Sequence, residues 1–128
     1  MALAMPGCCN DLSLSPGDIV LVDFGPAIGR SHIQKGRRPA VVLGQPKILA
    51  DSNTPILQVV PLTTKKKFLP VHTKIYDFER FGLSATSFAI AEQMQTIDRE
   101  SVIKKLGHID DKELLNKIKS CVLQQLGY

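Results

Sequence analysis

A chain of 128 residues with 44% hydrophobic and 22% charged residues has the size of one ordinary domain, which excludes a chain too polar to bury a core. No run of about 18 apolar residues occurs, so no membrane-spanning helix is expected, and Met1 to Cys9 lack the basic start and apolar length of a secretory signal. A formal net charge of +4 favours a polyanionic partner, with Arg30, Lys35, Arg37 and Arg38 in one segment and Lys65, Lys66 and Lys67 in another.

Organised sequence is expected to begin at Pro16-Gly17, after a disordered tail over residues 1–15, so that 16–128 form a single domain. A turn there leads into Asp18 to Phe24, a β-branched run of strand length. Gly25 to Gly36 contains three glycines and a proline, follows neither the helical nor the strand period, and reads as a long exposed loop. Pro39 to Leu43 is a second short strand, Gly44 to Pro55 a turn-rich connection, and Ile56 to Leu62 a third strand. Beyond the polar Thr63 to Lys67 loop, Val71 to Ile75 alternates as a strand does, and Ser87 to Ile97 is one further long run. The period then changes. Asp110 is placed to cap a helix, Glu113 lies three residues on, Leu115, Ile118, Val122 and Leu126 recur at helical spacing, and Gly127 falls where a helix stops. The expected fold is mainly β with a C-terminal helix, a small barrel of short strands.

Several chemistries lack their residues. There is no phosphate-binding glycine loop with lysine and serine, no HExxH and no Cys/His cluster. Cys8 and Cys9 are adjacent in the tail and Cys121 is far from them, a pattern of free thiols in a reducing cytoplasm. Asp110-Asp111 fits helix-start chemistry better than a metal site, so neither metal nor cofactor is expected. His72, in a strand, and His108, before the helix, read as scaffold residues, whereas His32 sits in the basic loop and is a candidate substrate contact.

Two segments concentrate charge and hydroxyls. Gln34-Lys35-Gly36-Arg37-Arg38-Pro39 puts Arg38 where loop becomes strand, because proline holds its predecessor extended. A planar guanidinium there suits phosphate as well as it suits a carboxylate partner. Val59 to Thr64 delivers two hydroxyls, Thr63 and Thr64, beside three lysines, an arrangement open to phosphate contact or to an ordinary solvated turn.

In this order the segments resemble the MazF/PemK family of toxin endoribonucleases. The resemblance runs from Pro16 to the C-terminus through Gly17-Asp18-Ile19 into Asp23-Phe24, Gly36-x-Arg38-Pro39, Pro61-Leu62-Thr63-Thr64, Ala91-Glu92-Gln93-Met94-Gln95-Thr96-Ile97-Asp98 and Gly107-His108-Ile109-Asp110. It implies an SH3-like β-barrel with a C-terminal helix, usually homodimeric, that cleaves single-stranded RNA and is inhibited by a small acidic antitoxin. Arg38 and Thr63 match the family's catalytic positions, and Gln93 a substrate-contacting one. Glu92, Thr64, Lys65, His32, Gln34, Arg37 and Phe24 complete the expected RNA-binding set. The implied reaction is attack of a ribose 2′-hydroxyl on the adjacent phosphorus. Many relatives carry a glycine-serine-glutamate-glutamine run where this chain has Gly29-Arg30-Ser31-His32-Ile33-Gln34, leaving His32 or Gln34 to stand in for the missing carboxylate. Two other readings use the same fold. One is a CcdB-like poison of gyrase, against which the Arg38 and Thr63 pair argues, and the other is a non-catalytic nucleic-acid-binding module.

Overall fold

The structure, a computed structural model, describes residues 13–26, 35–51, 53–65 and 71–127. His32, Gln34, Cys8, Cys9, Lys66 and Lys67, singled out above, lie outside the described residues.

Seven strands form one largely antiparallel sheet: β1 (Asp18–Asp23), β2 (Arg37–Leu43), β3 (Ile56–Thr63), β4 (His72–Ile75), β5 (Ser87–Ile90), β6 (Gln95–Asp98) and β7 (Val102–His108). Their order is β4-β5-β3-β2-β1-β7, with β6 also on β3. A short helix α1 (Pro46–Ala50) follows β2, and α2 (Lys112–Gln125) ends the chain. The expected architecture of short strands closed by one C-terminal helix is therefore present.

The first three strands read as continuous apolar runs because both faces of the central sheet are covered. Alternation sorts their side chains. Ile19, Val41, Val60 and Leu62 face one core, shared with Phe81, Ile109 and the α2 residues Ile118, Cys121 and Val122. Val20, Val22, Ala40, Val42, Leu57 and Val59 face a second, shared with Leu14, Leu49 and Ile97.

β3 organises the sheet by changing partners along its length. Its first half pairs with β6 (Ile56↔Asp98 to Val59↔Gln95) and its end with β5 (Leu62↔Ala89, Thr63↔Phe88). Pro61 falls between the two pairings, where its missing N–H costs no ladder bond on that edge.

Five expectations are corrected. The tail does not extend to residue 15: Leu14 is 2% exposed, Ser15 donates from its backbone N–H to Asp18 Oδ2 at 2.8 Å, and this apolar anchor makes residues 13–15 part of the fold. The Gly44 to Pro55 connection holds α1, which Pro46 starts and whose Leu49 is buried. The run from Ser87 to Ile97 is not one strand: four residues of β3, from Leu62 to Val59, correspond to seven of its partner, from Ala89 to Gln95, so Ala91–Gln93 are looped out as a 3-10 turn. The cap of α2 is Asp111, not Asp110; its carboxylate accepts from the N–H groups of Glu113 and Leu114. Finally, β7 was not expected at all. It is an edge strand with two register shifts against β1 and two exposed lysines, Lys104 and Lys105, in its middle, so no alternation survives in its sequence.

Candidate RNA-cleavage site

Arg38 and Thr63 come from neighbouring strands. β2 pairs with β3 from Leu43↔Gln58 to Ala40↔Pro61, and past that pair each strand continues to its end, at Arg37 and at Thr63. Strand alternation puts Arg38 in step with Ala40 and Val42, and Thr63 in step with Leu57 and Val59, on the sheet face away from α2. Val22, paired with Arg38, lies in that same face, and Phe24 follows it two residues on, half-buried against the second core.

Each residue is held by its neighbours. Gly36 takes φ +75°, open to glycine at low cost, and its N–H donates to Gly25 O at 2.6 Å while Phe24 N donates to Gly36 O at 2.9 Å. This closes the base of the 25–36 loop just before Arg38. The Arg38 guanidinium is half-buried and donates through Nε to Lys35 O at 2.7 Å. Among the described residues no carboxylate pairs with it, so its charge remains available to an anion. Thr63 is 7% exposed, and its Oγ1 accepts from Lys65 N at 3.2 Å, which fixes the hydroxyl at the end of β3.

The ends of β2 and β3 border a groove of about 400 Å³ whose lining includes Arg37, Arg38, Thr63 and Thr64; Leu62, Leu83 and Leu106 form its apolar wall from the α2 side of the sheet, with Gly82, Ser84, Ser87 and Lys104 beside them, so Arg38 and Thr63 meet it at the strand ends. Among the described residues, three cations and no carboxylate line it. Such a groove focuses positive potential on an anionic strand. The far wall rests on a close backbone approach: a Cβ on Gly82 would collide with Leu106 O, and one on Gly107 with Phe81 O.

Glu92 and Gln93 lie outside this groove, on the looped-out turn between β5 and β6. Glu92 Oε2 meets His72 Nε2 at 2.7 Å, with the imidazole side chain only 3% exposed, which ties the turn to β4. His72 Nδ1 and Glu92 Oε1 are buried without a hydrogen-bond partner among the described residues. Glu92 also borders a cavity of about 210 Å³ with Met94, Val122 and Leu126. Lys65 is exposed beside Thr64 and contributes its backbone N–H to Thr63.

The other histidine is a scaffold residue as well. His108 Nδ1 lies 2.7 Å from Oδ1 of the fully buried Asp18, which Lys105 also approaches at 3.2 Å. The sequence offered no sign of Lys104 as a groove residue, because β7 itself was not legible. Among the described residues no group of His, Cys, Asp and Glu is placed to hold a metal ion.

The model of a PemK-like, MazF-like toxin of type II toxin-antitoxin systems matches residues 15–126. The chain is 32% identical over 102 residues to the endoribonuclease EndoA of Bacillus subtilis, covering 80% of this chain and 84% of that protein. It is 29% identical over 98 residues to the endoribonuclease MazF of Staphylococcus saprophyticus, covering 77% and 79%. Among solved structures, MazF from Deinococcus radiodurans superposes with a TM-score of 0.73 at 23% identity, covering 92% of this chain and all of that one. A mycobacterial endoribonuclease in complex with its cognate antitoxin superposes with a TM-score of 0.67 at 20% identity, covering 89% and 95%. With nearly its whole folded length matched, the chain belongs to the PemK-like, MazF-like toxins of type II toxin-antitoxin systems.

Proposed function

We propose that this chain is a toxin endoribonuclease that cuts single-stranded RNA without a metal ion. The observation that carries the reading is the juxtaposition of Arg38 and Thr63 across β2 and β3, at a groove lined by cations alone among charged residues. In the reaction, the ribose 2′-hydroxyl attacks the adjacent phosphorus, the bond to the 5′-oxygen breaks, and that oxygen departs with a proton. The products are a 2′,3′-cyclic phosphate and a 5′-hydroxyl. Since the nucleophile belongs to the substrate, the protein's task is to orient the phosphate and neutralise the charge that gathers on it. The Arg38 guanidinium stabilises the pentavalent phosphorane, and the Thr63 hydroxyl, anchored by Lys65 N, holds a phosphate oxygen.

Arg37, Thr64 and Lys65 guide the flanking backbone, Phe24 offers an aromatic edge next to Arg38, and Glu92, held by His72, fixes the looped-out turn from which Gln93 reaches a base. His32 and Gln34, in the basic segment of the sequence, belong to the same RNA-contacting set. The protein acts in the cytoplasm as a homodimer, and an acidic antitoxin segment covers the cationic groove.

The test is incubation of the purified protein with a long single-stranded RNA in EDTA, with DNA as control and Arg38→Ala and Thr63→Ala in parallel. Discrete cuts with 5′-hydroxyl ends are expected on RNA only, because DNA lacks the attacking hydroxyl, and are lost in both variants. Intact RNA with the wild type at every salt concentration would sink the reading.

A further inference from the structure

The row of side chains that contains Thr63 continues beyond it. Thr63 pairs with Phe88 of β5, and Phe88 pairs with Lys74 of β4. Thr63, Phe88 and Lys74 therefore project to one face, and Tyr76, in the bend just after β4, stands against Lys74. The opposite side of β4 is accounted for: Thr73 Oγ1 meets Cys121 Sγ of α2 at 3.4 Å, and Ile75 is fully buried in the core beneath the helix.

On this face Tyr76 is 73% exposed, more than any other large apolar side chain among the described residues. Its ring is held by Lys74, whose Nζ stands 4.4 Å from the ring centroid. Lys74 thus covers one side of the ring and leaves the other to solvent. Two strand spacings separate Lys74 from Thr63, about 10 Å along the sheet. That is a short step for a nucleic-acid strand whose scissile phosphate lies at Thr63.

We propose that Lys74 and Tyr76 form a nucleotide subsite, in which an unpaired base neighbouring the cut stacks on the open side of Tyr76 while Lys74 meets its phosphate. The assignment rests on the ribonuclease reading above. Both groups suit this ligand: an aromatic ring accepts any base by its π face, and a lysine beside it supplies the salt-dependent attraction of single-strand sites. Phe88, between Thr63 and Lys74 in the row, is itself buried and fixes the spacing of the two. The subsite therefore selects for an unstacked base, and so for single-stranded substrate, without reading its identity.

The experiment uses the full chain, the wild-type cut site mapped on a long RNA, and a short single-stranded oligonucleotide spanning that site. Abasic positions are scanned through the oligonucleotide, and both cleavage and fluorescence anisotropy are measured for wild type, Tyr76→Ala, Tyr76→Phe and Lys74→Ala. Tyr76→Ala is expected to raise KM and Kd roughly 5- to 100-fold while kcat stays within about twofold. Tyr76→Phe behaves as wild type, because the ring suffices. Lys74→Ala lowers the slope of log affinity against log salt by about 0.7. One abasic position removes the difference between wild type and Tyr76→Ala. Equal affinity for wild type and Tyr76→Ala overturns the proposal, as does a loss that persists at every abasic position. If the wild type cuts no RNA, the ribonuclease reading falls by itself, and anisotropy on the long RNA with the same variants still decides the subsite.

Discussion

Arg38 and Arg99 are both arginines with polar partners, yet the surroundings give them opposite uses. Arg38 is half-buried, spends Nε on Lys35 O, and stands at the rim of a groove without a carboxylate. Its replacement by alanine removes a charge from the reacting phosphate but little packing. The expected outcome is a fall in cleavage rate of at least about a hundredfold, with a melting temperature within a few degrees of wild type. Arg38→Lys is expected to recover little of that rate, since a point ammonium lacks the planar fork. A quenched-fluorescence cleavage assay beside a thermal melt checks both. Arg99 is 2% exposed and donates to Thr54 O at 2.8 Å, Leu49 O at 3.0 Å and Asp51 O at 3.1 Å, stitching the end of α1 to the start of β3. Arg99→Ala leaves those carbonyls without their charged donor, and a loss of about 3 kcal/mol or more is expected in urea unfolding. The sequence singles out Arg38 by its motif and the proline after it, but gives no sign of Arg99, whose role depends on the carbonyls that the fold brings to it.

Among the elements, α2 was legible because its signals are local: an acidic residue at the start, apolar residues at helical spacing and a terminal glycine. Only the capping residue was misplaced, and Asp111 and Asp110 are equivalent in sequence until one takes the extended backbone of a cap. Asp111→Ala is expected to cost about 1 kcal/mol by chemical denaturation, and Asp110→Ala much less through this route. β7 was illegible for the opposite reason. Its two register shifts against β1 destroy the period of two, and its identity as a strand is set by the partner it finds. Its Gly107 lets the backbone at Phe81 approach, so Gly107→Ala is expected to destabilise the protein by more than about 3 kcal/mol and to distort the groove wall that Lys104 and Gly82 share. A urea curve and a cleavage assay on the same variant measure the two effects. The looped-out turn at Ala91–Gln93 belongs here too. Its sequence continues the apolar run of its neighbours, and only the two successive pairings on β3 force three residues out of the sheet.

For the whole molecule, two of the five exposed large apolar side chains among the described residues lie together near the end of α2. Leu123 is 51% exposed and Leu126 57%, although Leu126 continues the same helical stripe that buries Ile118 and Val122. A homodimer that buries this end of the helix is the expected state. Light scattering at micromolar concentration should report twice the monomer mass, and Leu123→Asp with Leu126→Asp should shift it toward the monomer. An unchanged mass in that variant would assign the contact to another surface.

Local pattern alone determined a great deal here: a β domain closed by a helix, the boundaries of the first three strands to within two residues, and the order of motifs that carries the family resemblance. Apolar runs and caps are written in neighbouring residues, and neighbouring residues are what a sequence displays. The tertiary structure decided what pairs across distance. It brought Arg38 and Thr63 to one groove, set Thr63 in a row through Phe88 to Lys74, brought Lys104 of an unrecognised strand to the groove, and bound Glu92 to His72. Those relations depend on register, where a shift of one residue turns every side chain to the other face, and register is fixed by the packed sheet as a whole.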